Sequence, residues 1–173
     1  LAAMGADLVL VARNEEKAKA LQASIQQQTG QQPDYLLADL SDLGQIRRLA
    51  GEFQAKYDRL DVLVNNAGAF FLNRQESVDG FELTLATNHL NYFLLTNLLL
   101  DNLKASQNAR IVNVASDAHH GNVIDFDDLN STKDYAGMRV YGQSKLANIM
   151  FTYELARRLE GSQITANSLH PGF

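Results

Sequence analysis

Short hydrophobic runs alternate with amphipathic segments along the whole chain. The runs are rich in strand-forming residues and lie at residues 7–12, 35–38, 61–65, 110–115 and 164–169. Short strands that are apolar throughout are typical of a parallel sheet that is buried on both faces. The pattern therefore predicts parallel strands separated by longer connections.

Helical periodicity fills the intervals between these runs. Helices are predicted at residues 15–28, 42–57, 80–106 and 140–159. Asn14 is expected to cap the first helix and Gly30 to end it, and Ser41 is expected to cap the second. Strands that alternate with helices predict an α/β fold, which we expect to be a doubly wound, mostly parallel, Rossmann-like sheet.

The two ends suggest one partial domain over residues 1–173 that is incomplete at both ends. Residues 1–5 are similar to the last turn of a helix with its terminating glycine, and the chain stops soon after a predicted strand. A strand between those at 7–12 and 61–65 would then precede Leu1. We expect the piece alone not to fold stably, because two sheet edges would be exposed.

Charge and composition exclude several classes of function. The net charge is −5 and the basic residues are scattered, which argues against nucleic-acid binding. The absence of cysteine excludes disulfides, thiolate metal sites and cysteine nucleophiles. It leaves the compartment open but fits a reducing one, and a cytoplasmic location is expected. The apolar run at 92–100 is shorter than the ~20 residues that span a bilayer, so no membrane segment is predicted. Membrane association of the full-length protein stays open.

The candidate chemistry begins with Tyr141 and Lys145, which lie four residues apart and therefore on one face of the predicted helix. A nearby ammonium stabilises a phenolate, so the two residues favour an acid/base pair. Ligands of doubly wound sheets bind beyond the carboxyl ends of the strands. The residues at those ends are Arg13, Asp39, Asn65, Asn66, Ala67, Gly68, Ser116, His170, Pro171 and Gly172.

These residues, together with Asn88 in the predicted long helix, resemble the short-chain dehydrogenase/reductase family over the whole chain. Five motifs look like its retinol dehydrogenase-like branch, and they lie at residues 88–96, 111–119, 124–129, 141–148 and 170–172. The long insert between Ser116 and Tyr141 is also similar to that branch. The family's glycine-rich turn is absent and would lie upstream of Leu1.

The resemblance implies a catalytic role for four residues. Tyr141 would be the general acid/base, Ser116 would hold the substrate oxygen, Lys145 would bind the nicotinamide ribose, and Asn88 would hold a water of the proton relay. Ala115 stands where the family usually has a first serine, so the assignment of Ser116 depends on the register of the alignment.

The resemblance also implies a cofactor site. Arg13 follows the first strand with no acidic residue beside it, which favours NADP over NAD. Asp39 and Leu40 resemble the adenine-contacting position, and the tetrad from Asn65 to Gly68, Tyr141 and Lys145 would also contact the cofactor. Pro171 and Gly172 would border the nicotinamide ring. No metal site is expected, because His119 and His120 are adjacent and lack a third ligand.

The predicted function is hydride transfer between NADP(H) and a carbonyl or alcohol substrate, with the fragment alone inactive. Light-dependent protochlorophyllide reduction is an alternative, although that activity is associated with pocket cysteines and this chain has none. A non-catalytic NADP-sensing or scaffold module is a second alternative. The presence of Asn88, Ser116, Tyr141 and Lys145 together disfavours it, because a sensor has no need for the phenol. A homodimer through the helices at 80–106 and 140–159 is expected by analogy.

Overall fold

The computed structural model describes residues 1–172, and within them all strand pairs are parallel. The strands are β1 Val9–Ala12, β2 Asp34–Leu37, β3 Val62–Asn65, β4 Arg110–Val114 and β5 Thr165–Leu169. β1 pairs with β2, and β4 lies between β3 and β5 in a second sheet. Helices pack against these sheets, so the predicted α/β class is confirmed.

Among the described residues, the first sheet has unpaired edges at β1 and β2, and the second has unpaired edges at β3 and β5. The side chains of Val11 on β1 and of Val62 and Val64 on β3 are also exposed, on the faces of the sheets. Unpaired edges of this kind are available to another strand. That a further strand lies between β1 and β3 stays a prediction.

Most of the helix boundaries follow the sequence. The longer helices are α1 Glu15–Thr29, α2 Leu43–Gln54 and α6 Gly137–Arg158. Asn14 caps α1 by accepting a hydrogen bond from Lys17 N (2.8 Å), and Gly30 ends it in a left-handed conformation. The predicted Ser41 cap of α2 is wrong. Asp42 accepts the hydrogen bond from Gln45 N instead, and the Ser41 hydroxyl donates to Asp39 (2.7 Å).

The continuous helix predicted at 80–106 is also wrong. This region is divided into α3 Leu83–Leu85, a π-helical turn Ala86–Leu90, α4 Asn91–Leu98 and α5 Leu100–Lys104. It begins after Glu82, whose carboxylate accepts hydrogen bonds from the backbone N–H groups of Thr84 and Leu85. The π turn widens the helix around Asn88.

The apolar core lies between the sheets and the helices. Its large, fully buried side chains are Ile46 and Leu49 of α2, Leu103 of α5 and Ile111 of β4. This packing fixes the strand ends on which the candidate site is built. Among residues 1–172, no helix combines the length and the apolar character that crossing a membrane requires.

Candidate active site

A cavity of about 270 Å³ opens beyond the carboxyl ends of β4 and β5. Its lining brings together three of the four predicted catalytic residues. The lining residues are Asn66, Gly68, Val114, Ala115, Ser116, Tyr141, Lys145, His170, Pro171 and Gly172. The strand ends and α6 therefore converge where the sheet topology predicts a ligand site.

Lys145 is a buried cation at the floor of this cavity. Its residue surface is only 3% exposed, and its ammonium donates one hydrogen bond, to the carbonyl of Val114 (3.0 Å). Burial lowers the pKa of Lys145, because leaving water disfavours the charged form. The ammonium also lies 5.6 Å from the ring centre of Tyr141 and 5.8 Å from that of Tyr92. The predicted pairing of lysine and phenol on one helix face is observed.

Ser116 is fixed by the short 3₁₀ turn that follows β4. Its hydroxyl oxygen accepts a hydrogen bond from Ala118 N (3.2 Å), so the hydroxyl proton is available to a ligand in the cavity. Ala115 is buried, and its N–H donates to Leu169 on the neighbouring strand. Of these two neighbours, Ser116 is therefore the one that can donate a side-chain hydrogen bond.

Tyr141 lies one turn before Lys145 on α6, beside an aromatic neighbour. The ring of Phe70 contacts it edge-on, with ring centres 5.9 Å apart and planes inclined by 78°. This contact holds the phenol against the loop that follows β3.

Asn88 is fully buried behind the cavity and clamps the same loop. Its amide oxygen accepts a hydrogen bond from Ala69 N (2.7 Å), and its amide nitrogen donates to Ala69 O (2.9 Å) and to Ser144 Oγ (3.1 Å). Both amide N–H donors are thus used within the protein. A relay water held by Asn88 would therefore have to donate its hydrogen bond to an oxygen atom of this residue.

The tetrad from Asn65 to Gly68, which begins with the last residue of β3, is divided between the cavity and the sheet. Asn66 and Gly68 line the cavity, whereas the Asn65 side chain is buried and donates to Thr96 (3.0 Å) and Asn113 (2.8 Å). A Cβ atom on Gly68 would lie 3.2 Å from Asn88 Oδ1 and 3.3 Å from Lys145 Nζ. Position 68 therefore has little room for a side chain. Ala67 does not line the cavity.

The other predicted cofactor residues lie outside this cavity. Arg13 is exposed after β1 and makes no ion pair within residues 1–172. Asp39 accepts hydrogen bonds from both the backbone and the hydroxyl of Ser41, and Leu40 packs against the core.

His119 lies against the Ser116 carbonyl (2.6 Å), and the described residues contain no cluster of three metal-ligating groups.

Gly142 is a site residue that the sequence analysis missed. A Cβ atom at this position would overlap the carbonyl of Ala118 and the amide of Asn122, so the glycine allows α6 to approach the turn that carries Ser116. An isolated glycine inside a helical pattern often marks a close contact. That signal was present at the residue next to Tyr141.

We expect Gly142→Ala to lower kcat at least about 10-fold, because the added methyl separates Tyr141 from Ser116 and small displacements are costly in catalysis. Overpacking should also destabilise the fold by about 1–3 kcal/mol. Steady-state kinetics and thermal melts measure both effects. Gly51→Ala, on α2 where a Cβ would meet nothing within 4 Å, is the control. Equal kcat for Gly142→Ala and wild type would contradict the close-contact argument.

Comparison with known proteins identifies the family. A family model described as short chain dehydrogenase matches residues 1–173. Human retinol dehydrogenase 11 is 47% identical over 173 residues, which cover 99% of this chain and 54% of the relative. Human retinol dehydrogenase 13 is 45% identical over 174 residues, covering 99% and 53%. The chain thus spans about half the length of these curated relatives.

A solved structure agrees with the sequence comparisons. RhlG from Pseudomonas aeruginosa, in an active-site complex with NADP, has a TM-score of 0.80 and is 30% identical, covering 99% of this chain and 64% of that one. The parallel sheets of this chain are those expected from such a structural relative, and the family model matches the whole chain. The chain belongs to the short-chain dehydrogenase family, on its retinol dehydrogenase-like branch.

Proposed function

We propose that the full-length protein is an NADP-dependent oxidoreductase that interconverts an alcohol and a carbonyl compound. The observation that carries the proposal is the convergence of Ser116, Tyr141 and the buried Lys145 on one cavity. Turnover of a panel of aldehydes and ketones by the full-length protein with NADPH tests it. Failure to turn over any of them, by a folded protein that binds NADPH, would contradict the proposal.

The proton chemistry follows from the positions of the side chains. Tyr141 would give its hydroxyl proton to the carbonyl oxygen during reduction and take a proton from the alcohol during oxidation. Ser116 would donate a hydrogen bond to the same oxygen and stabilise its developing negative charge. Lys145 would favour the phenolate by its positive charge across 5.6 Å to the ring.

The residues present fit a nicotinamide dinucleotide. Lys145 has three N–H donors and uses one on Val114, so two are available for ribose hydroxyls. Gly68 has no Cβ atom, so the space beside the ammonium is open. A Cβ atom at this position would lie 3.3 Å from Lys145 Nζ and would fill that space. When bound, the cofactor supplies or accepts the hydride. Asn66, Pro171 and the buried ammonium would hold it at the cavity.

The surroundings of Tyr141 favour an apolar substrate. Phe70 and Leu72 lie beside Gly137 at the start of α6, and Met138 follows it. All three are exposed hydrophobic residues, and the Phe70 ring contacts that of Tyr141. Exposed apolar side chains grouped beside a polar site are typical of a surface that contacts an apolar ligand. The names of the retinol dehydrogenase relatives are consistent with such a substrate.

Arg13 is expected to favour NADPH over NADH. Replacing it with alanine should raise KM for NADPH about 10-fold and leave KM for NADH nearly unchanged, because the exposed guanidinium has no carboxylate partner within residues 1–172 and is free to pair with a 2′-phosphate. Steady-state kinetics with each cofactor measure the ratio. Arg59→Ala, which changes an arginine that precedes β3 rather than follows a strand, is the control. An unchanged preference would remove Arg13 from the cofactor site.

A further inference from the structure

The π turn Ala86–Leu90 requires a physical explanation, because π-helical turns are rare and are often found at functional sites. The N–H of Asn91 donates to the carbonyl of Ala86, five residues back. The altered ladder turns the Asn88 side chain toward Ala69 and Ser144. Something outside the helix must stabilise this turn against the ordinary α-helical pattern.

Asn148 makes hydrogen bonds to two successive residues of the turn. Its amide nitrogen donates to the carbonyl of Asn88 (2.9 Å), and its amide oxygen lies 2.9 Å from Nδ1 of His89. Because the nitrogen must face the carbonyl, the oxygen faces the imidazole, which therefore donates through Nδ1–H. Burial lowers the pKa of His89 and favours this neutral ring. Asn148 itself is 0% exposed.

A buried hydrogen-bonded chain connects the helix turn at Asn148 to the sheet. Thr152 Oγ1 donates to the Asn148 carbonyl (2.6 Å) and accepts from Asn113 Nδ2 (2.9 Å). Asn113 in turn accepts from Asn65 at the end of β3 (2.8 Å). Satisfied buried networks of this kind hold their members in one arrangement. Asn148 is thus supported from the strands that also build the cavity.

We propose that Asn148 is a positioning residue that holds the π turn, and through it the Asn88 amide, in register with Tyr141. Asn88 passes this constraint on by its two hydrogen bonds to Ala69 and by its donation to Ser144, whose hydroxyl donates to the Tyr141 carbonyl (2.7 Å). The inference rests on the proposed oxidoreductase function for its catalytic consequence. Its structural consequence is independent of that function.

The catalytic test is a double-mutant cycle in the full-length protein. Asn148→Leu should lower kcat about 10- to 100-fold, since a displacement of ~1 Å can cost that much. In an Asn88→Ala background the same substitution should have almost no further effect, because Asn148 acts through Asn88. Multiplicative losses in the double variant would overturn the proposal.

Asn102→Leu is the matched control. Asn102 is also buried and donates from its amide to a backbone carbonyl, that of Tyr57 (2.9 Å), far from the cavity. Asn102→Leu should lower the melting temperature about as much as Asn148→Leu does but leave kcat unchanged. Its small effect on kcat should be the same in the wild-type and Asn88→Ala backgrounds. Equal loss of kcat in both leucine variants would reduce Asn148 to an ordinary structural residue. Asn148→Ser serves if the leucine variant does not fold.

Hydrogen exchange gives a readout that needs no turnover. The Ala69 N–H is protected by Asn88 Oδ1, so Asn148→Leu should accelerate its exchange, whereas Asn102→Leu should not. Unchanged protection of Ala69 would overturn the positioning role even in an active enzyme. Accelerated exchange in a protein that reduces no carbonyl compound would support the positioning role and count against the proposed oxidoreductase.

Discussion

A Tyr141→Phe variant of the full-length protein is expected to lose about 10²–10⁴-fold in kcat, the range that general acid–base catalysis supplies. The substitution removes the hydroxyl and keeps the ring, so the edge contact with Phe70 and the approach of Lys145 remain. Within the described residues no hydrogen bond holds the Tyr141 hydroxyl, and the melting temperature should therefore hardly change. Steady-state kinetics with NADPH and thermal melts measure the two quantities.

Tyr153→Phe is the control for this experiment, because Tyr153 lies on the same helix and is 75% exposed. It should leave kcat unchanged. Equal turnover by wild type and Tyr141→Phe would remove Tyr141 as the general acid/base. If NADPH still bound tightly to a protein without turnover, a cofactor-sensing or scaffold role would be favoured.

Lys145→Met is expected to lower kcat at least about 100-fold and to leave the protein at least as stable as wild type at pH 7. The loss of activity follows from removing the charge beside Tyr141 and the donors for ribose. The stability follows because burying an ammonium costs free energy, and within residues 1–172 its one hydrogen bond, to Val114, offsets this cost only in part. Kinetics and thermal melts of the two proteins test both statements.

The pH dependence gives this prediction a second check. Burial lowers the pKa of Lys145 below its ordinary value of 10.5, so the unfolded chain binds more protons than the folded one between the two pKa values. The contribution of Lys145 to stability therefore increases as the pH rises through that interval, and its full cost is present below the folded-state pKa. The wild-type melting temperature should approach or pass that of Lys145→Met at alkaline pH. If the melting temperature of Lys145→Met exceeded that of the wild type by more as the pH rises, the burial argument would be contradicted.

The sequence pattern predicted the features that depend on local periodicity. The positions of β1 to β5 and the limits of α1 follow from apolar runs, the Asn14 cap and Gly30, all of which act within a few residues. Tyr141 and Lys145 share a face because four residues make about one helical turn. The parallel order of the strands then brought Ser116 to the same cavity.

The features that sequence reasoning missed depend on contacts between distant segments. The π turn at Asn88 is held by Ala69, Ser144 and Asn148, which lie far away along the chain. The importance of Gly142 becomes visible only when the Ala118 carbonyl lies against it. Apolar periodicity contains no information about these hydrogen bonds and close approaches, so the long helix appeared continuous.

The π turn also changes the rotational phase of the helix in which it lies. Each residue advances an α-helix by about 100°, so one additional residue in a turn rotates the chain before it by roughly that angle relative to the chain after it. Thr84, Ala86 and Asn88 are buried at alternate positions before Asn91, whereas Tyr92, Leu95 and Leu99 follow ordinary helical spacing after it. Deleting His89 or Leu90, the residues of the turn that follow Asn88, would therefore reorient the Asn88 amide away from Ala69 while the later contacts with the core stayed in phase.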